Sequence, residues 1–156
     1  VRIGAGTVIR ENAVIGGWGF GFARALGKPT IRLPHIGGTI IGNNVEIGAL
    51  TTICSGTIDP TIIEDSVIID DHVHIAHNCR VCDNAIVTAC AEVSGGVSVG
   101  RSAWLAPNCA IIDRINIGAR SVVGIGATVV KSIEDNSIVV GKAAQIISNA
   151  CCLHKP

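Results

Sequence analysis

From Ile63 an aliphatic residue returns at every sixth position, through Ile69, Ile75, Val81, Val87, Val93, Val99, Leu105, Ile111, Ile117 and Val123 to Val129, without a slip. A period of six fits neither the ~3.6 residues of a helical turn nor the plain alternation of a strand. The chain must therefore wind in short flat segments joined by corners. Three more repeats start at Ile3, Ile9 and Ile15, and three at Ile41, Ile47 and Ile53. With the aliphatic position called i, position i+4 is small or β-branched, as in Thr51, Val67, Val73, Cys79, Ala85 and Ala91. Position i+1 is often glycine (Gly4, Gly16, Gly42, Gly48, Gly100, Gly118, Gly124), expected where the backbone turns a corner or takes unusual dihedrals. Two inward positions per six residues make one side of a coil. Three sides close a triangle, and the triangles stack at about 4.8 Å into a parallel β-helix of about six coils.

Composition agrees with thin, stacked layers. The 156 residues hold 19 glycines, only two Trp and two Phe, and no Met or Tyr, which suits a solenoid filled by small branched side chains. Twelve basic and twelve acidic residues cancel, so the chain lacks the basic footprint of a nucleic-acid binder. No run approaches the ~18 apolar residues of a membrane span, and no signal region opens the chain, so a cytoplasmic location is expected. Seven cysteines, an odd number scattered over repeat positions, read as reduced apolar fillers. Cys79 and Cys82 spell C-x-x-C, but Cys79 falls on an inward slot and no second pair is near.

The period is interrupted twice. Between Ile15 and Ile41 roughly twenty residues leave the column as a loop, about 17–37, carrying Trp18, Phe20 and Phe22 spaced by glycines. Those rings can wall a ligand site, meet a neighbouring subunit, or only anchor the flap. A four-residue insertion between Ile53 and Ile63 contains Asp59 and Pro60. Because one coil takes 18 residues, His77 at an outward i+2 position stacks beneath Gly95 and then Asp113, with Arg114 beside it and Asp59 one coil back. A carboxylate near an imidazole fixes its tautomer, and a glycine N–H above it can meet developing negative charge. His72 and His77 form a pair that zinc would need a third ligand to use, from His35 or another chain; no metal is expected.

The run Gly16-Gly17-Trp18-Gly19-Phe20-Gly21-Phe22, the re-entry Ile36-Gly37-Gly38 into Ile41-Gly42-Asn43-Asn44-Val45-Glu46-Ile47-Gly48, and Ile75-Ala76-His77-Asn78 resemble the UDP-3-O-acylglucosamine N-acyltransferases of lipid A synthesis, over about residues 3 to 134. The resemblance implies an all-β, left-handed parallel β-helix assembled as a homotrimer with sites between subunits. It also implies His77 as general base toward the amine of a nucleotide-linked amino sugar, an acyl thioester as donor, and Gly95 N–H as oxyanion donor. Asp59 or a neighbouring subunit's carboxylate would orient His77. Asn78, Arg114 and Asp113 would meet sugar or phosphate, and Trp18, Phe20 and Phe22 would wall the cleft. Cys54-Ser55-Gly56 stands where the family has Asp-Arg-Gly, and Arg114 where it has a second functional histidine. The ending Val139-Val140-Gly141-Lys142-Ala143-Ala144-Gln145-Ile146-Ile147 is similar to that of acyl-CoA-dependent sugar acetyltransferases. It makes Gly124, Gly141 and Lys142 candidate contacts to CoA, with acyl carrier protein the other donor.

A β-helix domain over 1–134 is thus expected, with a capping tail over 135–156 whose residues Ala143 to Cys152 form a short helix. Val1 enters a repeat directly, which suggests a partner or an upstream domain. Two other functions compete with acyl transfer: a catalytically degenerate scaffold or regulatory protein, and a zinc carbonic anhydrase-like enzyme.

Overall fold

The structure is a computed structural model that describes residues 1–143 and residue 145. Short parallel strands stack into three sheets, the faces of a triangular column. The first face runs from Arg2–Ile3 through Thr39–Ile41, Thr61–Ile63, Arg80–Val81 and Ser98–Val99 to Asn116–Ile117. The second begins at Val8–Ile9 and ends at Ile138–Val139, and the third runs from Val14–Trp18 to Thr128–Val129. Register follows the 18-residue coil: His74 pairs with Glu92 and Glu92 with Ala110, while Ile75, Val93 and Ile111 align beside them. The i residues point inward and from Ile41 to Val129 are buried, as are Val67, Ala85, Val97 and Ala103 at i+4. Each buried Val, Leu or Ile among them contributes roughly 1.5–3 kcal/mol of gross burial. In the first coil, Ile3 and Ile9 have a neighbouring coil on one side only and are exposed.

The corners work differently from the sequence expectation. Left-handed φ falls at i+3, as in Asn44 (53°), Asn84 (59°), Asn108 (59°) and Gly96 (72°), where asparagine tolerates what most L residues resist. Among the i+1 glycines only Gly16 has a left-handed φ. Gly100 shows what the others are for: a Cβ there would lie 2.6 Å from the Ala119 backbone nitrogen of the next coil. At Gly4, Gly42, Gly48, Gly100 and Gly118 it is the close approach of the next coil, not dihedral freedom, that leaves no room for a side chain.

Ile138–Val139 pairs in parallel with Val122–Val123, so the column continues past residue 134 before any tail begins. The helix expected over Ala143 to Cys152 lies outside the described residues. The long interruption is itself structured. Val14–Trp18 follows Thr52–Ser55 across a register shift at Gly16, and Phe22–Ala23 then pairs antiparallel with Ile31–Arg32 as a small hairpin. Cys79 and Cys109 are buried fillers whose thiols burial pushes up to about 11, far from the thiolate form.

Candidate active site

His77 stands at the corner between the third and first faces. Inward Ile75 and Cys79 anchor the backbone on either side of it, Ala76 is buried as well, and His77 and Asn78 are half-exposed. Gly96 N–H donates to the His77 carbonyl and Arg114 N–H to the Gly95 carbonyl, both at 2.9 Å, so residues 77, 95 and 113 occupy successive coils. The His77 ring lies against Gly95. A Cβ at that position would sit 2.7 Å from His77 Cε1 and 2.9 Å from Nε2, so only glycine permits the stack. Among the described residues no acceptor meets the Gly95 N–H.

Hydrogen bonds fix the imidazole. Asn78 Nδ2 donates to the Asp59 carbonyl at 3.0 Å, which turns Oδ1 into an acceptor for Thr57 N–H (3.2 Å) and the Thr57 hydroxyl (3.0 Å). The same oxygen lies 3.0 Å from His77 Nδ1, which therefore carries the proton and donates. The lone pair is left on Nε2, beside Gly95. This corrects one expectation. Asp59 supplies its backbone carbonyl rather than its carboxylate, because the four-residue insertion breaks the 18-residue arithmetic there. The Asn78 side chain is engaged by Asp59, Thr57 and His77 while it also lines the cleft.

The flap folds back over this corner. Arg32 Nη2 donates to Gly19 O at 2.8 Å, Leu33 N–H to Gly21 O at 3.0 Å and Ile36 N–H to Thr57 O at 2.9 Å, which bring the hairpin down beside His77. Gly19 threads between two histidines: its Cβ would be 2.9 Å from both His35 Nε2 and His77 Cδ2. His35 and His77 ring centroids are 5.1 Å apart. His35 is buried, donates Nδ1–H to Leu33 O at 3.0 Å and leaves Nε2 without a partner among the described residues. Burial, and after it the neighbouring His77, lower its pKa below the ordinary 6.5, against the Leu33 hydrogen bond, and this balance favours the neutral ring. Sequence spacing could not reveal this neighbour, since the flap lies outside the period.

A cleft of about 700 Å³ results, lined by Phe20, Gly21, Phe22, Leu33, Thr57, His77, Asn78, Gly95, Gly96, Asp113 and Arg114. Phe20 and Phe22 meet edge to face at 5.8 Å, and the Arg32 and Arg24 guanidinium groups cover them at 4.5 and 4.8 Å. Trp18, expected in the wall, is exposed outside the lining. Gly124, Gly141 and Lys142 lie on the last coils, away from His77. His72 is exposed at a left-handed corner, and among the described residues no three His, Cys, Asp or Glu side chains converge on a metal position.

Residues 60–95 match the family model described as bacterial transferase hexapeptide (six repeats). UDP-3-O-acylglucosamine N-acyltransferase from Cupriavidus pinatubonensis is 38% identical over 81% of this chain and 36% of its own length. The enzyme of that name from Methylococcus capsulatus is 35% identical over 92% of this chain and 41% of its own. The chain carries the bacterial transferase hexapeptide repeat and is similar over most of its length to the UDP-3-O-acylglucosamine N-acyltransferases. It spans well under half the length of the curated relatives it matches. LpxA from Acinetobacter baumannii superposes with a TM-score of 0.75 at 21% identity, covering 90% of this chain and 60% of that one. A mutant perosamine N-acetyltransferase from Caulobacter crescentus, in complex with CoA and GDP-perosamine, gives 0.69 at 24% identity, covering 92% and 57%. Both likenesses are of fold, and the fold of this hexapeptide-repeat chain is the left-handed parallel β-helix. No helix among the described residues is long and apolar enough to cross a membrane.

Proposed function

We propose that the chain transfers an acyl group from a thioester, acyl-CoA or acyl carrier protein, to the amine of a nucleotide-linked amino sugar. The observation that carries this reading is the His77 ring lying on Gly95, with the Nε2 lone pair and the Gly95 N–H both unengaged at the edge of one cleft. The amine nitrogen attacks the thioester carbonyl while His77 Nε2 takes its proton. The carbonyl oxygen becomes an oxyanion facing the Gly95 N–H. Collapse breaks the carbon–sulfur bond, an amide forms, and the imidazolium proton passes to the departing thiolate. Thr57 and the Asp59 carbonyl act through Asn78 to hold the imidazole in the tautomer this needs. Phe20 and Phe22 supply an apolar wall for an acyl chain or a base.

A homotrimer in the cytoplasm belongs to the same reading. Supporting it, Ile68, Ile86, Trp104 and Ile138 form an exposed apolar stripe along the second face, a surface suited to further copies of the chain. Light scattering should give three times the mass of one chain. The chemistry is tested by incubating the protein with acetyl-CoA, longer acyl-CoAs or acyl carrier protein and a panel of UDP- and dTDP-amino sugars, with N-acylated product read by mass spectrometry. Arg114 in place of the family histidine favours a second reading, a degenerate scaffold. Absence of turnover and of ligand binding across that panel would decide for it.

A further inference from the structure

Five corners of the column share one device. An Asn or Asp at i+2 reaches back to cap the backbone N–H of the i+2 residue one coil below: Asn43 on Ala5 (2.9 Å), Asp65 on Asn43 (2.7 Å), Asp71 on Ala49 (2.6 Å), Asp83 on Asp65 (3.2 Å) and Asp135 on Ala119 (2.8 Å). Each cap is accompanied by the same backbone bond, from the N–H of i+3 to the carbonyl of the capped residue. Asp113 stands in this register above Gly95, and Arg114 N–H makes the accompanying bond to Gly95 O at 2.9 Å. Yet its carboxylate is not on the Gly95 N–H. It pairs instead with Arg114 Nε at 3.7 Å, while the Arg114 stem rests over Gly96, where a Cβ would lie 3.3 Å from its Cγ.

We propose that Arg114 is a positioning residue that draws Asp113 off the Gly95 N–H and so keeps the oxyanion donor open. The proposal rests on the acyl-transfer reading for its consequence, though not for its geometry. A carboxylate capping that N–H would occupy the donor and set a negative charge where the oxyanion forms. An ion pair this exposed shifts an equilibrium by up to about fivefold, which sets the size of the effect.

Arg114→Asn is the first variant, since asparagine suits the left-handed φ of 58° at this position. Its kcat should fall about three- to fivefold, and Asp113→Ala in the same chain should recover most of that loss. Asp113→Asn alone should also slow the enzyme, because an amide oxygen can cap, as Asn43 does, but carries no charge for Arg114 to hold. Hydrogen exchange at the Gly95 amide gives a readout independent of turnover: slower in Arg114→Asn and Asp113→Asn, and restored in Asp113→Ala/Arg114→Asn. A double variant as slow as Arg114→Asn, or Gly95 exchange unmoved by either single change, would overturn the proposal. If the unaltered protein makes no product, acyl transfer fails as a reading while the exchange experiment still decides the role of Arg114.

Discussion

Two corners of the same column are built on one backbone plan and finished in opposite ways. At the corner between the first and second faces, Asn43, Asp65, Asp83 and Asp135 each satisfy the N–H beneath them, and Arg101 reaches down to Asp83 at 2.8 Å. At the corner between the third and first faces, His77 and Gly95 hold the corresponding positions, and the Gly95 N–H is left without a protein acceptor among the described residues. Side-chain caps take up most of these N–H groups at the first corner, Arg101 N–H excepted, whereas no side chain caps Gly95 at the other. The β-helix supplies the spacing, and side-chain choice at i+2 decides which corner keeps an open N–H beside an imidazole.

The largest test of that contrast is His77→Ala. Transfer should drop about 10²- to 10⁴-fold with an unchanged melting curve, since the side chain stands outside the core. A core change should do the reverse. Ile75→Ala, at a fully buried position, should cost about 2–5 kcal/mol in denaturant titration, and Ile9→Ala in the half-covered first coil clearly less. Gly95→Ala should slow transfer about 100-fold by displacing the His77 ring. Alanine is native in this register at Ala49 and Ala119, so its stability should change little. At the structural corner, Asp65→Ala should cost about 1–2 kcal/mol, measured by denaturant, and leave kcat where it was.

The smallest effect is in pH. The depressed pKa of His35 means that the unfolded chain takes up a proton below the ordinary 6.5 that the buried ring refuses. Stability should therefore fall as pH drops below that value, and His35→Gln should flatten this part of a melting-temperature profile.

The column was legible in the sequence because a period of six admits almost no other fold, and stacking arithmetic carried His77, Gly95 and Asp113 to one groove. It failed where the chain leaves the period. Asp59 sits in an insertion, so its carboxylate could not be placed by counting, and the His35 ring arrives on a hairpin whose return depends on Arg32 and Leu33 bonds to Gly19 and Gly21. Thr57 carried no signal, because its role exists only through Asn78. The i+1 glycines were visible, but at Gly4, Gly42, Gly48, Gly100 and Gly118 their cause was a neighbouring coil rather than local dihedrals.

The most direct measurement is a crystal structure with CoA and an amino-sugar nucleotide bound together. The acceptor nitrogen should lie within about 3.2 Å of His77 Nε2, with the thioester position facing the Gly95 N–H. An acceptor amine seated on another face of the column, with His77 open to solvent, would contradict the acyl-transfer reading.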